Sequence, residues 1–257
     1  NNLLDCVIYE TNVRDFTEGK HTNIEQKGKY LGFVEPGRLT VKNHPAGLDY
    51  LKYLGITHVQ LNPILDFRGV PDLKVNSGYN WGYDPISFFA IEGSYSTSLE
   101  KPLARMEEFK RMVEELHESD IRTIIDVVYN HVYEYFESDL EKIVPGYFFR
   151  IKKNGMLSQA SGCGNDFASE KPMARKIIVE SAKNLVELYD IDGFRFDLMG
   201  LLDIETMRIL ADECHKIKSD LVFYGEGWNM DANLPENEKA CSVYCRWFFR
   251  RVALQGI

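Results

Sequence analysis

A parallel α/β fold of the barrel type is expected for this chain, on three observations. Strand-like apolar runs alternate with amphipathic helical stretches, and that order implies a parallel sheet with right-handed crossovers. Polar residues able to do chemistry fall just after the strands, at Asn62, Asn130, His131, Asp197 and Glu226. Strand C-terminal ends are where a (β/α)8 barrel of the TIM type carries its sites. The chain has 257 residues, 44% hydrophobic and 12% aromatic, enough for a real core, and one such barrel takes ~250 residues. A doubly wound open sheet is the rival. It too binds ligands at strand C-termini, so the clustering favours the barrel without deciding the matter.

The elements follow in order. Cys6 to Glu10 is a short apolar run that reads as the first strand. Pro45 to Leu54 reads as a helix with Leu48, Leu51 and Leu54 on one face, stopped by Gly55. Thr57 to Leu61 is a second strand, closed by Asn62-Pro63. Ser98 to Ser119 carries Leu103, Met106, Phe109, Val113 and Leu116 at helical spacing. Arg122 to Tyr129 is a third strand, and its Ile124-Ile125 and Val127-Val128 pairs imply burial on both faces. Ser169 can cap a helix running from Glu170 to Tyr189, with Pro172 in its first turn. The inner stripe of that helix is Ile177, Ile178, Ser181, Leu185 and Leu188. Gly193 to Leu198 is a fourth strand. Ile204 to Ile217 is a helix with Met207, Leu210, Ala211, Cys214 and Ile217 inward, and Leu221 to Gly225 is a fifth strand.

Two connections are long, Asp66 to Tyr95 and Tyr133 to Ala168. Loops of that length in a compact domain usually carry function. The chain divides into residues 1–240, the barrel portion, and residues 241–257, an anomalous basic and aromatic tail. Residues 240–257 hold three Arg and no acid. Either an amphipathic helix packed on the sheet or a truncation or reading-frame artefact accounts for that stretch. The start enters a strand almost at once, which suggests a piece of a longer protein.

Composition excludes several classes. The formal net charge is -9, and no Lys/Arg cluster marks a nucleic-acid footprint in the first 240 residues. Anionic lipid is disfavoured for the same reason. No apolar run of ~18 residues gives a membrane span. The start lacks a signal peptide's basic and apolar regions, so the cytoplasm is the expected location. Five cysteines, an odd number without a Cys-x-x-Cys pair, argue against a disulfide scaffold or a zinc site. Cys6 and Cys214 read as small core residues.

Two carboxylates carry most of the functional signal. Asp197 ends Gly193-Phe194-Arg195-Phe196-Asp197, and Glu226 ends Phe223-Tyr224-Gly225-Glu226. If these strands are parallel neighbours, both acids project from one rim, as glycoside hydrolysis needs. Arg195 shares a strand face with Asp197, and a guanidinium there favours the ionised acid, able to attack an anomeric carbon. A purely structural Arg–Asp pair is the alternative. Glu226, between two glycines and beside Trp228, is expected in apolar surroundings that suit a general acid. Gly-Glu-Gly can also be a plain turn. Asp126, in Asp126-Val127-Val128-Tyr129-Asn130-His131, can pair with Arg195, and His131 can donate to a sugar hydroxyl or serve the fold alone. The loop Tyr79-Asn80-Trp81-Gly82-Tyr83-Asp84-Pro85 offers three aromatics as a stacking platform, with Asp84 as acceptor, or else a plug over the core. Asn130 with neighbouring carbonyls can hold structural Ca²⁺, although carboxylate chemistry requires no cofactor.

Together these motifs resemble the α-amylase superfamily of glycoside hydrolases over residues 5–240. Asp126 to His131 looks like its first signature, Gly193 to Asp197 its second and Glu226 its third. Tyr79 to Pro85 is similar to the hallmark of type I pullulanases, and the stretch from Gly162 to Arg175 is pullulanase-like as well. The resemblance implies hydrolysis of α-1,6-glucosidic links in pullulan, starch or glycogen by a retaining mechanism. It implies Asp197 as nucleophile, Glu226 as acid/base, Arg195 as holder of the nucleophile and Asp126 as its support. It implies His131 and Tyr83, beside Asp84, on the sugar whose bond breaks, and Trp228 on the leaving-group side, with Trp81 and Asn130 lining the substrate site. The family's fourth signature, a His-Asp pair bearing a third essential acid, has no match after Glu226. The expectation is therefore a truncated catalytic barrel of about five βα units, inactive alone, with open edges at the first and fifth strands. An α-1,4-glucan hydrolase or transferase and a non-catalytic glucan-binding half-barrel are the alternatives.

Overall fold

The structure, a computed structural model, describes residues 5–70, 78–243 and 253–255. Six strands form one sheet: β1 (Ile8–Thr11), β2 (His58–Leu61), β3 (Arg122–Val127), β4 (Gly193–Phe196), β5 (Val222–Glu226) and β6 (Ala253–Gln255). Their spatial order is their sequence order, and each neighbouring pair is parallel. A doubly wound sheet reverses its order at a switch point, and this one does not. The fold is a partial (β/α) barrel.

Seven helices accompany the strands among the described residues: α1 (Val13–Thr17), α2 (Tyr30–Phe33), α3 (Leu48–Leu54), α4 (Ala104–Glu118), α5 (Asp139–Ile143), α6 (Pro172–Tyr189) and α7 (Ile204–Ile217). Local chemistry explains their ends. Gly55 closes α3 at φ 68°, a left-handed position that glycine adopts freely. Pro172 opens α6, where a missing N–H costs nothing. Asp203 caps α7 by accepting the Thr206 N–H at 2.9 Å. No described helix is long and apolar enough to cross a membrane.

Every residue of β2 is buried, as is every residue of β4. The main core fills the space between sheet and helices. There Phe109 and Leu116 of α4, Ile178 and Leu185 of α6 and Leu210 and Cys214 of α7 join one apolar cluster with Val59, Ile125, Phe194 and Phe223 of the strands. Phe223 lies nearly parallel to Phe194 at 5.7 Å and to Phe196 at 6.4 Å between ring centroids. On the sheet's other face Ile124, Val222 and Tyr224 form a small separate cluster, with the Tyr224 hydroxyl bonded to Gln60.

Several expectations are corrected. Leu54 and Leu188, placed inward by periodicity, are 42% and 48% exposed. Tyr189 is buried in place of Leu188, because the buried arc of α6 runs through Ala182, Leu185, Val186 and Tyr189. Leu103 lies outside α4 and is exposed. Ser169 does not cap α6, whose N-cap position is Lys171; its hydroxyl instead accepts the Asp203 N–H at 2.9 Å. Cys214 is buried as expected, whereas Cys6 is only half-buried. The tail reading falls mostly on residues 244–252 and 256–257, which lie outside the described residues. Within the tail, Ala253–Gln255 is a strand paired in parallel with β5, so β5 is not an edge and a sixth strand exists that periodicity missed.

Phe223→Ala removes a fully buried ring from this stack. The unfolding free energy in urea is expected to fall by about 3–5 kcal/mol; a loss well below 1 kcal/mol would show that the ring carries little of the core.

Candidate active site

The site grows from sheet register. Asp126 on β3 stands opposite Arg195 on β4, and Arg195 stands opposite Tyr224 on β5. Neighbours in register share a face, as do residues two apart on one strand. Asp126, Arg195, Asp197 and Glu226 therefore converge at one end of the sheet. The Arg195 Nη1 donates to both oxygens of Asp126 at 2.9 Å and to Asp197 Oδ1 at 3.1 Å. Its Nη2 forms an ion pair with Glu226 Oε1. One guanidinium thus joins carboxylates from three consecutive strand units.

Electrostatics follow from burial. Asp126 is fully buried, and desolvation pushes its pKa up to about 7 against the downward pull of Arg195. Burial opposes the charge on Arg195, but Asp126 and Glu226 outweigh it and hold the guanidinium firmly protonated. The Tyr83 hydroxyl donates a hydrogen bond to Asp126 Oδ2 at 2.8 Å, and burial, then the neighbouring Asp126 charge, raises the Tyr83 pKa.

A second layer orients the rim. Asn130 Nδ2 donates to the Asp197 carbonyl at 2.8 Å and to Asp197 Oδ2 at 2.9 Å. Its Oδ1 faces His131 Nδ1 at 2.6 Å, and His131 Nε2 faces the Tyr83 carbonyl at 3.1 Å. Both ring nitrogens thus face oxygen atoms, and burial pushes the His131 pKa down, toward the neutral ring. Asp197 itself is 9% exposed, with Oδ1 on Arg195 and Oδ2 on Asn130.

Glu226 corrects an expectation. Its surroundings are polar rather than apolar, because Oε1 meets Arg195 and Oε2 accepts the Leu198 N–H at 3.2 Å. Leu198 has φ 41°, ψ 47°, a left-handed conformation costly for a side chain with a Cβ. That turn aims the amide at Glu226. Just beyond it, Gly200 lies so close to the Trp228 carbonyl that a Cβ would stand 1.8 Å from the oxygen. The turn after β4 and the loop after β5 are thereby locked together.

The aromatic loop also departs from expectation. Tyr79, Trp81 and Tyr83 do not share one setting. Tyr79 bonds Asp15 at 2.5 Å, with Arg14 over its ring. Trp81 is 59% exposed. Tyr83 is turned onto Asp126. Asp84 Oδ2 accepts from Asn80 at 2.8 Å. Trp228, on the loop after β5, is exposed at the rim. Asn130 does not fit Ca²⁺, since its only side-chain oxygen is turned to His131. Among the described residues no three His, Cys, Asp or Glu side chains converge to hold a metal.

Arg150 escaped sequence reading. It is 3% exposed, and its Nη1 donates to the Leu201 carbonyl at 2.6 Å and the Ala232 carbonyl at 3.3 Å. It also pairs with Glu170 at 3.0 Å and bonds Ser169. It ties the long connection after β3 to the loops after β4 and β5. The available signal was a charge directly after Phe148-Phe149 in an apolar run.

The model of the α-amylase catalytic domain family matches residues 45–155. The chain is 46% identical over 237 residues to pullulanase of Bacillus subtilis strain 168, covering 92% of this chain and 33% of that protein. The solved structure of type I pullulanase from Bacillus subtilis with maltose superposes with a TM-score of 0.94 at 44% identity, over 97% of this chain and 35% of that one. The pullulanase of Anoxybacillus sp. LM18-11 with maltotetraose gives 0.95 at 43% identity, over 97% and 36%. The chain spans about a third of the length of these relatives.

Arg195→Met would leave three carboxylates around an uncharged side chain. A loss of about 3–5 kcal/mol in unfolding free energy is expected. Burial raises the Asp126 pKa in the folded protein to about 7, whereas in the unfolded chain it lies near ~3.9. A raised folded pKa means stability falls as pH rises through that window, and removing the guanidinium extends the window upward. The variant's loss should therefore be larger at pH 8 than at pH 5, and equal losses at both would contradict this charge assignment.

Proposed function

The chain belongs to the α-amylase family, with homology to type I pullulanases, and from that premise we propose that it serves hydrolysis of α-1,6-glucosidic links in pullulan, starch or glycogen. The observation that carries the reading is the single guanidinium of Arg195 in contact with both Asp197 and Glu226. One cation spanning two rim acids sets them within the reach of one glycosidic bond, as a double displacement requires.

In the proposed mechanism Asp197 attacks the anomeric carbon while Glu226 gives a proton to the departing 6-oxygen. The carbon–oxygen bond breaks and a glucosyl ester forms on Asp197. Water then attacks the same carbon, Glu226 takes its proton, and the carboxylate leaves with the anomeric configuration retained. Arg195 and Asn130 hold the two Asp197 oxygens in place for attack. Asp126 lies behind Arg195 and positions it. His131 and Tyr83 border the glucosyl unit; the Tyr83 hydroxyl is committed to Asp126, so its ring is the part offered to sugar. Asp84 and Trp81 complete the lining and Trp228 meets the leaving chain, while Asn130, fully buried, acts only through Asp197.

A glucan-binding half-barrel without turnover is the second reading. Pullulan separates the two readings. The first expects full-length protein to release maltotriose, initially as the α-anomer by NMR, with a kcat lower by on the order of 10⁴-fold in Asp197→Asn. Full turnover in that variant would remove the nucleophile assignment. Maltooligosaccharide binding without any release would replace the hydrolytic reading with the second.

A further inference from the structure

Behind the loops that carry Tyr83, Asp84 and His131 lies a separate hollow of 390 Å³. Pro85 and Val132 form part of its wall, each one residue past a member of the candidate active site. The Tyr133 N–H donates to the Pro85 carbonyl at 2.9 Å, which joins the two loops into one partition between the hollow and the rim. Tyr133 is 46% exposed, and Arg68 stands 5.8 Å from its ring centroid. Glu134, Glu137 and Asp139 complete the border.

The chemistry of this border narrows the ligand. Glu137 is paired with Lys142 at 3.0 Å, and the remaining Glu134 and Asp139 still outnumber the Arg68 guanidinium and disfavour an anion. Those carboxylates are not among any set able to hold a metal in the described residues. An aromatic ring beside Pro85, Ile86 and Val132, edged by charged donors and acceptors, suits a neutral ring with hydroxyls at its edge and C–H bonds on its faces. We propose that this hollow is a second binding site for an α-glucan segment, lateral to the cleft. Tyr133 is its stacking platform, and Arg68 and Glu134 bond the sugar hydroxyls. The glucan assignment rests on the function proposed above. Because Pro85 and Val132 line the hollow and their neighbours Asp84 and His131 do not, a chain held there lies beside the site rather than in it.

Maltotriose titrated into the ¹⁵N-labelled chain reads the two places separately. Amides of residues 133–139 are expected to shift and saturate together. Tyr133→Ala and Arg68→Ala should each weaken that response about tenfold, and both replace exposed side chains. Asp197→Asn should leave it unchanged. Absence of shifts at residues 133–139, a response undiminished from the parent chain in both hollow variants, or the same shifts produced by glycerol at equal concentration would each overturn the second site. Failure of the hydrolytic reading looks different: saturable shifts at residues 133–139 with no sugar released from pullulan.

Discussion

A buried arginine on the fourth strand is the constraint on which the rest of the site depends. Arg195 is 6% exposed, and a guanidinium in such a place is tolerable only when its donors meet acceptors. The parallel register supplies them from both sides. Asp126 comes from β3, Asp197 follows from β4 itself and Glu226 comes from β5. Three carboxylates around one cation would repel each other without further donors. The Tyr83 hydroxyl, the Asn130 amide and the Leu198 N–H each take one excess oxygen. Every one of those donors sits on a loop that follows a strand, so the charge balance of the strands determines how the loops must fold.

Much of this was legible in the sequence because it follows from spacing. Arg195 and Asp197 share a face by strand alternation, and Asp126 pairs with Arg195 as its place in the third strand implied. Strands β1 to β5 were all anticipated, with ends displaced by one to a few residues, as expected where a terminal residue keeps strand spacing but loses its ladder bond. Leu54 and Leu188 failed for a related reason. Helical periodicity identifies an apolar arc but not how wide the covered arc is, and the neighbouring element decides that.

What was not legible depends on contacts between distant segments. Glu226 looked apolar because its sequence neighbours are two glycines and a tryptophan; its actual partners are Arg195 and the amide of Leu198, which no local window joins. Three aromatics in five residues suggested one platform, yet Asp15 draws Tyr79 one way and Asp126 draws Tyr83 another. Arg150 reads locally as a basic residue after two phenylalanines, whereas its meaning lies in the carbonyls of Leu201 and Ala232. Strand β6 lay hidden in a stretch whose basic and aromatic composition obscured a three-residue run.

Asp126 also bears on how the acids divide their work. The cluster holds three carboxylates, which raises the question of whether Asp126 fills the third acidic role that the family resemblance implies. Its geometry argues against that. It is wholly buried, Arg195 engages both its oxygens and Tyr83 a second time engages Oδ2. A sugar could reach it only by displacing Tyr83 and breaking the ion pair that orders the rim. Asp126 is therefore a positioning group. Only Asp197 and Glu226 combine contact with Arg195 and an opening to the rim, so these two acids define the chemistry that the described arc can contribute, and any third acid must approach from beyond that arc.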